Sequence, residues 1–154
     1  MSIDPKQLRG LIARVLDGRR LHSHAAMELL MGTAAQESCL GTYLHQIRGP
    51  ALGIFQMEPA TEADIWQNYL RYKPALADAV RQVSSVAVPS AWALETNLAY
   101  QIIMARLHYY RVREPLPDPG DIEALGRYWK KYYNTAAGRG TVEEFVANYR
   151  RNCL

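Results

Sequence analysis

Apolar residues recur at separations of three and four along most of this chain, the spacing that puts them on one face of an α-helix. A first helix is predicted to begin at Asp4, whose side chain can cap it, with Pro5 at its first position, and to end near Gly18. The apolar stripe of this helix consists of Leu8, Leu11, Ile12, Val15 and Leu16. A second helix is predicted over residues 23–39, where the next stripe lies.

The middle of the chain contains a loop, a third helix and one helix that is apolar on two faces. Residues 41–52 form the loop, and the third helix is predicted to begin at Thr61 and to end before Pro74. A longer helix is predicted over residues 91–111. One of its faces carries Leu94, Leu98, Ile102, Ala105 and Tyr109, and the other carries Ile103, Leu107 and Tyr110. A helix that is apolar on two faces is typical of the centre of a core.

The last third of the chain begins with a break at residues 115–120, the sequence PLPDPG. A helix is predicted over residues 122–133, and the pair Thr141 and Glu144 forms a capping box for a C-terminal helix. No repeat or linker divides the sequence. We therefore predict a mainly α protein, with residues 1–154 in one domain around a central buried helix.

Composition narrows the class of partners. The chain has 154 residues and a formal net charge of +3, which is too small and too dispersed to favour nucleic acid as the main partner. No segment has the roughly 18 apolar residues that span a bilayer. The two cysteines, Cys39 and Cys153, are expected to be free thiols, and Cys39 to be buried. His22 and His24 are expected to face solvent, because no carboxylate or thiol completes a zinc pattern around them.

Glu37 is the main candidate for chemistry. It continues the apolar stripe of the second helix, which consists of Ala26, Leu29, Leu30 and Thr33. A carboxyl group that is held against apolar surface ionises with difficulty, so its pKa is expected to rise. Such a group can remain protonated near neutral pH and act as a general acid.

A short turn after the loop supplies a second set of candidates. Gly53 allows a sharp bend, and Gln56 carries an amide that can donate and accept hydrogen bonds, as sugar hydroxyls and N-acetyl groups require. Met57 follows at once and is an apolar neighbour of this amide. The pairing of an acid with this turn favours cleavage of a sugar polymer.

Three elements of the sequence together resemble the lytic transglycosylase branch of the lysozyme-like superfamily, over roughly residues 24–140. They are Glu37-Ser38, then Gly53-Ile54-Phe55-Gln56 with Pro59 and Thr61, then residues 132–140. The resemblance implies a lysozyme-like helical fold. It also implies cleavage of the β-1,4 bond between N-acetylmuramic acid and N-acetylglucosamine, with Glu37 as general acid and base and 1,6-anhydro products. The implied substrate contacts are Ser38, Gly53, Gln56, Met57, Tyr133 and Asn134. No metal or other cofactor is implied.

Three alternatives stay open at this point. Glu58 is a candidate second carboxylate, which would make the protein a muramidase that uses water. A glycan-binding or structural tail component with the same fold would have no activity. A cysteine peptidase based on Cys39 is disfavoured, because the predicted end of a helix opposes formation of a thiolate.

The first twenty residues lack the uninterrupted apolar run of a signal peptide. We therefore expect a protein that is made in a host cytoplasm and delivered to the periplasm or cell wall through a holin or as part of a virion. Its expected partners are peptidoglycan glycan strands and phage tail or virion proteins, with neither nucleic acid nor a membrane among them.

Overall fold

The computed structural model describes residues 2–134 and 138–154, which are mainly helical. The α-helices of these residues are α1 (Pro5–Leu16), α2 (His24–Ser38), α3 (Pro59–Asn68), α4 (Pro74–Ser84), α5 (Ala91–Thr96), α6 (Leu98–Tyr110), α7 (Ile122–Trp129) and α8 (Val142–Cys153). A 3₁₀ turn, Leu70–Tyr72, follows α3, and a π-helical turn, Lys130–Asn134, continues α7. Extended pairing in the described ranges is limited to isolated bridges around Leu52.

Side-chain caps fix the starts of three helices where the sequence predicted them. Asp4 accepts a hydrogen bond from the Gln7 backbone N–H at 3.0 Å, and Ser23 accepts one from the Ala26 N–H at 3.0 Å. Thr141 accepts from the Glu144 N–H at 3.1 Å. Each cap satisfies a backbone donor that the first turn of a helix leaves without a partner. The predicted limits of α1 and α2 are confirmed.

The predicted helix over residues 91–111 is wrong, because the chain breaks at Asn97 into α5 and α6. Asn97 is extended, with φ −109° and ψ 101°, and its side chain accepts a hydrogen bond from the Tyr100 N–H. Its amide also donates to the Ser84 carbonyl at 3.0 Å, so the break is fixed by a neighbouring element. That element is the end of α4, a helix that the apolar pattern does not predict.

The third helix also differs from its predicted limits. It begins at Pro59 rather than Thr61, because proline is accommodated at the first helical position. It ends at Asn68, where the tighter 3₁₀ turn takes over.

The centre of the core is α6, as the two apolar faces predicted. This helix packs against α1, α2, α3, α4 and α5, and most of its side chains are buried. The last two helices, α7 and α8, pack against α2 and against each other. The buried apolar residues of all these elements form one continuous cluster.

A buried carboxylate joins α1, α2 and α8. Glu28 accepts two hydrogen bonds from the Arg9 guanidinium, at 3.0 and 2.8 Å, and one from the Tyr149 hydroxyl. Burial alone would raise the pKa of Glu28, but the bonds from Arg9 and Tyr149 outweigh it, and the pKa is lowered. Glu28 is therefore a charged structural residue, in contrast to Glu37 on the same helix.

Several smaller predictions concern thiols, histidines and membranes. Cys39 and Cys153 are free, and Cys153 is buried, whereas Cys39 is half-buried at the end of α2 and not buried as expected. His22 and His24 are exposed, as predicted. Within residues 2–134 and 138–154, no helix combines the length and apolar character needed to cross a bilayer.

Candidate active site

A cavity of about 730 Å³ opens where the end of α2 meets the starts of α3 and α8. Its remaining walls come from the loop and turn over residues 46–57, the end of α6, the π-helical turn and residues 138–140. Six of the predicted site residues line this cavity: Glu37, Gln56, Met57, Glu58, Tyr133 and Asn134. Residues that are up to about a hundred positions apart in the sequence are thus brought to one place.

Ser38 and Gly53, two predicted substrate contacts, do not line the cavity. The Ser38 side chain is fully buried, and its hydroxyl donates to the Ile54 carbonyl at 2.6 Å while it accepts from the Gly41 N–H at 2.9 Å. The prediction of a ligand contact is therefore wrong for Ser38. Its role is to tie the end of α2, next to Glu37, to the turn that carries Gln56.

Gly53 is required by the shape of the turn. Its φ is +79°, and a Cβ at this position would lie 2.3 Å from the Leu94 carbonyl oxygen. The turn is held by the buried Gln101, whose Oε1 accepts from the Ile54 N–H at 2.8 Å, and by Gln56, whose Nε2 donates to the Gly53 carbonyl at 2.9 Å. Gly53 is thus a structural residue, and Gln56 is left with its oxygen for a ligand.

Glu37 is half-buried in the wall of the cavity, and its pKa is raised. Burial raises its pKa from the ordinary value of 4.5 to about 7, and the Trp129 indole N–H opposes this shift. That indole N–H is buried and has no acceptor at regular hydrogen-bond geometry among the described residues. At neutral pH a large share of Glu37 therefore carries a proton, as a general acid must.

Tyr133 forms part of the wall beside Glu37. Its hydroxyl donates to the Phe55 carbonyl at 2.6 Å, and its ring stacks on Tyr109 with a centroid distance of 5.3 Å. Burial raises the pKa of Tyr133, and the Glu37 charge raises it further. Tyr133 therefore stays neutral, and its hydroxyl fixes the same turn that Ser38 holds from the other side.

Asn134 lies at the end of the π-helical turn, a local irregularity that often occurs at functional sites. The ammonium group of Lys130 donates to the Asn134 Oδ1 at 2.7 Å and to the Gly138 carbonyl at 2.9 Å. Lys130 thus links the two described ends of this segment. Residues 135–137, part of the third element of the resemblance, lie outside the described residues.

Two further carboxylates line the cavity, and sequence reasoning singled out one of them. Glu58 is exposed at the start of α3, where its side chain makes no capping bond. Glu144, which the sequence suggested only as part of a capping box, accepts a hydrogen bond from Gln36 Nε2 at 3.4 Å. Gln36 in turn accepts from the Asn148 amide at 2.7 Å, so this wall is held by α2 and α8 together.

The raised pKa of Glu37 predicts a pH-dependent stability difference between the wild type and Glu37→Gln. The folded protein holds the Glu37 proton up to about pH 7, whereas the unfolded chain releases it near the ordinary pKa of 4.5. Between these values the unfolded chain is stabilised by ionisation of Glu37 while the folded protein is not. The free energy of unfolding of the wild type therefore falls as pH rises. Glu37→Gln has no such group. Its free energy of unfolding should therefore rise by about 1–3 kcal/mol relative to that of the wild type over this range.

Thermal unfolding of both proteins in steps from about pH 5 to about pH 8 measures this difference directly. Other titrating groups, Glu28 among them, are common to both proteins and cancel. A difference in stability that stays constant with pH would show that the Glu37 pKa is ordinary.

No protein-family model matches this chain, and the comparisons with curated proteins and with solved structures found no match either. The cavity and its chemistry are therefore the observations from which function can be inferred.

Proposed function

We propose that this protein is a glycan-cleaving enzyme with Glu37 as its acid. One observation carries the proposal: a carboxyl group whose pKa is raised to about 7 lines a cavity of about 730 Å³. Cavities of roughly 300–1,000 Å³ are the size that binds small ligands. Gln56 and Asn134 add amide groups to the same walls, and these suit sugar hydroxyls and N-acetyl groups.

The proposed substrate is peptidoglycan, and the bond cleaved is the β-1,4 bond between N-acetylmuramic acid and N-acetylglucosamine. Glu37 donates its proton to the glycosidic oxygen, and the bond to the sugar C1 breaks. The Glu37 carboxylate then removes the proton from the C6 hydroxyl of the muramic acid, whose oxygen bonds to C1. The product is a 1,6-anhydro sugar, and Glu37 is protonated again. A lysozyme-like fold is part of this proposal, and the supporting feature is the meeting of the Glu37, Gln56 and Tyr133 elements at one cavity.

A second candidate function is hydrolysis by a muramidase. It is favoured by Glu58, a second carboxylate that lines the same cavity. A carboxylate opposite the acid can activate water or stabilise the positive charge that develops at C1. Both candidates use Glu37 as the acid, but they differ in the oxygen that bonds to C1. In the first it is the C6 hydroxyl of the same sugar and in the second it is water, so the products differ by one water.

Digestion of purified peptidoglycan followed by mass spectrometry of the muropeptides tests the proposal. We expect products that end in 1,6-anhydro-muramic acid, lighter by one water than reducing-end products. Products with a reducing end would establish the muramidase instead. If the wild-type protein released no muropeptides while the wall sample was cut by a control lysozyme, glycan cleavage would be ruled out.

A further inference from the structure

His108 lines the cavity at the end of α6, and no sequence motif indicates a role for it. Its Nδ1 lies 3.1 Å from Arg111 Nη2. The second terminal nitrogen of the same guanidinium, Nη1, donates to an Asp64 carboxylate oxygen at 2.8 Å. Arg111 is thus fixed by the α3 carboxylate on one side and contacts the imidazole on the other.

The contact with Arg111 fixes the protonation of the ring. A guanidinium has five N–H donors and no acceptor, so His108 Nδ1 must accept this hydrogen bond and carries no proton. The ring proton is then on Nε2, and the ring is neutral. Burial and the Arg111 charge lower the pKa of His108 to about 4, while the Asp64 carboxylate opposes them, so the ring stays neutral at neutral pH.

The Nε2 donor has no acceptor among the residues that the structure describes. The ring makes a T-shaped contact with the Tyr133 ring, with a centroid distance of 5.2 Å and an interplanar angle of 73°. His108 lines the cavity and Arg111 occupies its Nδ1, so we infer that the Nε2 side of the ring faces the cavity. A donor without a protein acceptor in the wall of a polar cavity is available for a ligand oxygen.

We propose that His108 is a ligand-binding residue that donates a hydrogen bond from Nε2 to a hydroxyl or N-acetyl oxygen of the bound glycan. This inference rests on the proposed function, and it deepens it by assigning a substrate contact. The neutrality of the ring matters for Glu37 in the same cavity. A cationic imidazolium there would favour the Glu37 carboxylate and remove the proton that the acid needs. By donating to Nδ1, Arg111 therefore holds the His108 ring in the neutral form that donates from Nε2.

Two substitutions at position 108 separate the Nε2 donor from the rest of the side chain. The amide nitrogen of glutamine reaches the position of Nε2, whereas that of asparagine reaches only the position of Nδ1. His108→Asn should therefore weaken binding of N-acetylchitotetraose, a soluble glycan probe, by about tenfold, the value of one hydrogen bond. We expect His108→Gln to retain affinity within about threefold of the wild type, which is under about 0.7 kcal/mol. His22→Asn, at an exposed position, is the matched control.

Calorimetric titration gives the affinities, and ¹⁵N NMR of the free protein gives the tautomer of His108 independently of any ligand. Equal affinity of the wild type and His108→Asn would overturn the proposal while leaving the proposed function intact, and so would a proton on Nδ1. Equal losses in both variants would assign a structural role and also overturn it. If the wild type neither bound the tetrasaccharide nor cleaved peptidoglycan, the proposed function would fail, and the glycan contact with it.

Discussion

Glu37→Gln is expected to lower the rate of peptidoglycan cleavage by at least about 10²–10⁴-fold, the usual contribution of a general acid. Glutamine has nearly the same shape as glutamic acid, so the half-buried wall of the cavity keeps its packing. It has no titratable proton, and the glycosidic oxygen then leaves without protonation. Cleavage is measured as release of muropeptides from purified wall, and circular dichroism verifies that the variant is folded.

Glu58→Gln and Glu144→Gln are the matched controls, since each removes a carboxylate that lines the same cavity. If one acid suffices, Glu58→Gln should lower the rate by less than about tenfold, a barrier change below roughly 1.4 kcal/mol. A large loss in Glu58→Gln together with reducing-end products would identify the muramidase. An active Glu37→Gln protein beside an inactive Glu58→Gln or Glu144→Gln protein would contradict the assignment of the acid.

Gly53→Ala is expected to destabilise the fold by about 2–5 kcal/mol, the combined effect of a left-handed backbone and an overpacked side chain. The φ of Gly53 is +79°, which an alanine rarely adopts, and the new methyl group would lie 2.3 Å from the Leu94 carbonyl oxygen. Backbone on both sides must move to relieve this contact. Because Gln56 belongs to the same turn, cleavage activity should fall as well. Urea unfolding gives the free energy, and muropeptide release gives the activity.

Gly18→Ala separates the effect of the left-handed backbone from the effect of the close contact with Leu94. Its φ is +71°, but a Cβ at this position meets no atom within 4 Å. We expect a loss of about 1–2 kcal/mol from the left-handed backbone alone. Activity should be unchanged, since Gly18 does not line the cavity. Equal losses of stability in the two variants would show that the contact with Leu94 has no effect.

Local patterns in the sequence are sufficient to predict most helices and the place of Glu37 on the face of α2 that continues its apolar stripe. The caps at Asp4, Ser23 and Thr141 act over three residues, so the sequence alone contains them. The position of Glu37 follows from the stripe of its own helix, whose Ala26 and Thr33 are buried. These features depend on neighbours in the chain.

Features that depend on contacts with other helices or loops cannot be predicted from local sequence patterns. The break at Asn97 is held by the Ser84 carbonyl of α4, which a stripe of apolar residues does not show. The resemblance implies a ligand contact for Ser38, yet its hydroxyl donates to the Ile54 carbonyl, 16 residues along the chain. His108 belongs to an apolar helix, and its chemistry comes from Arg111 and from the cavity at the end of that helix.

The Ser38 anchor also bears on which part of the cavity wall can vary in evolution. The hydroxyl bonds to Gly41 before the exposed loop and to Ile54 after it, so both ends of the loop are fixed to α2. We therefore expect side-chain replacements at the exposed positions of residues 42–50 to leave Glu37 in place. The loop contributes Gln46 to the cavity and carries Tyr43 and Ile47 at its surface. Variation in its composition is therefore expected to alter the wall of the cavity, while the proposed acid Glu37 keeps its place at the end of α2.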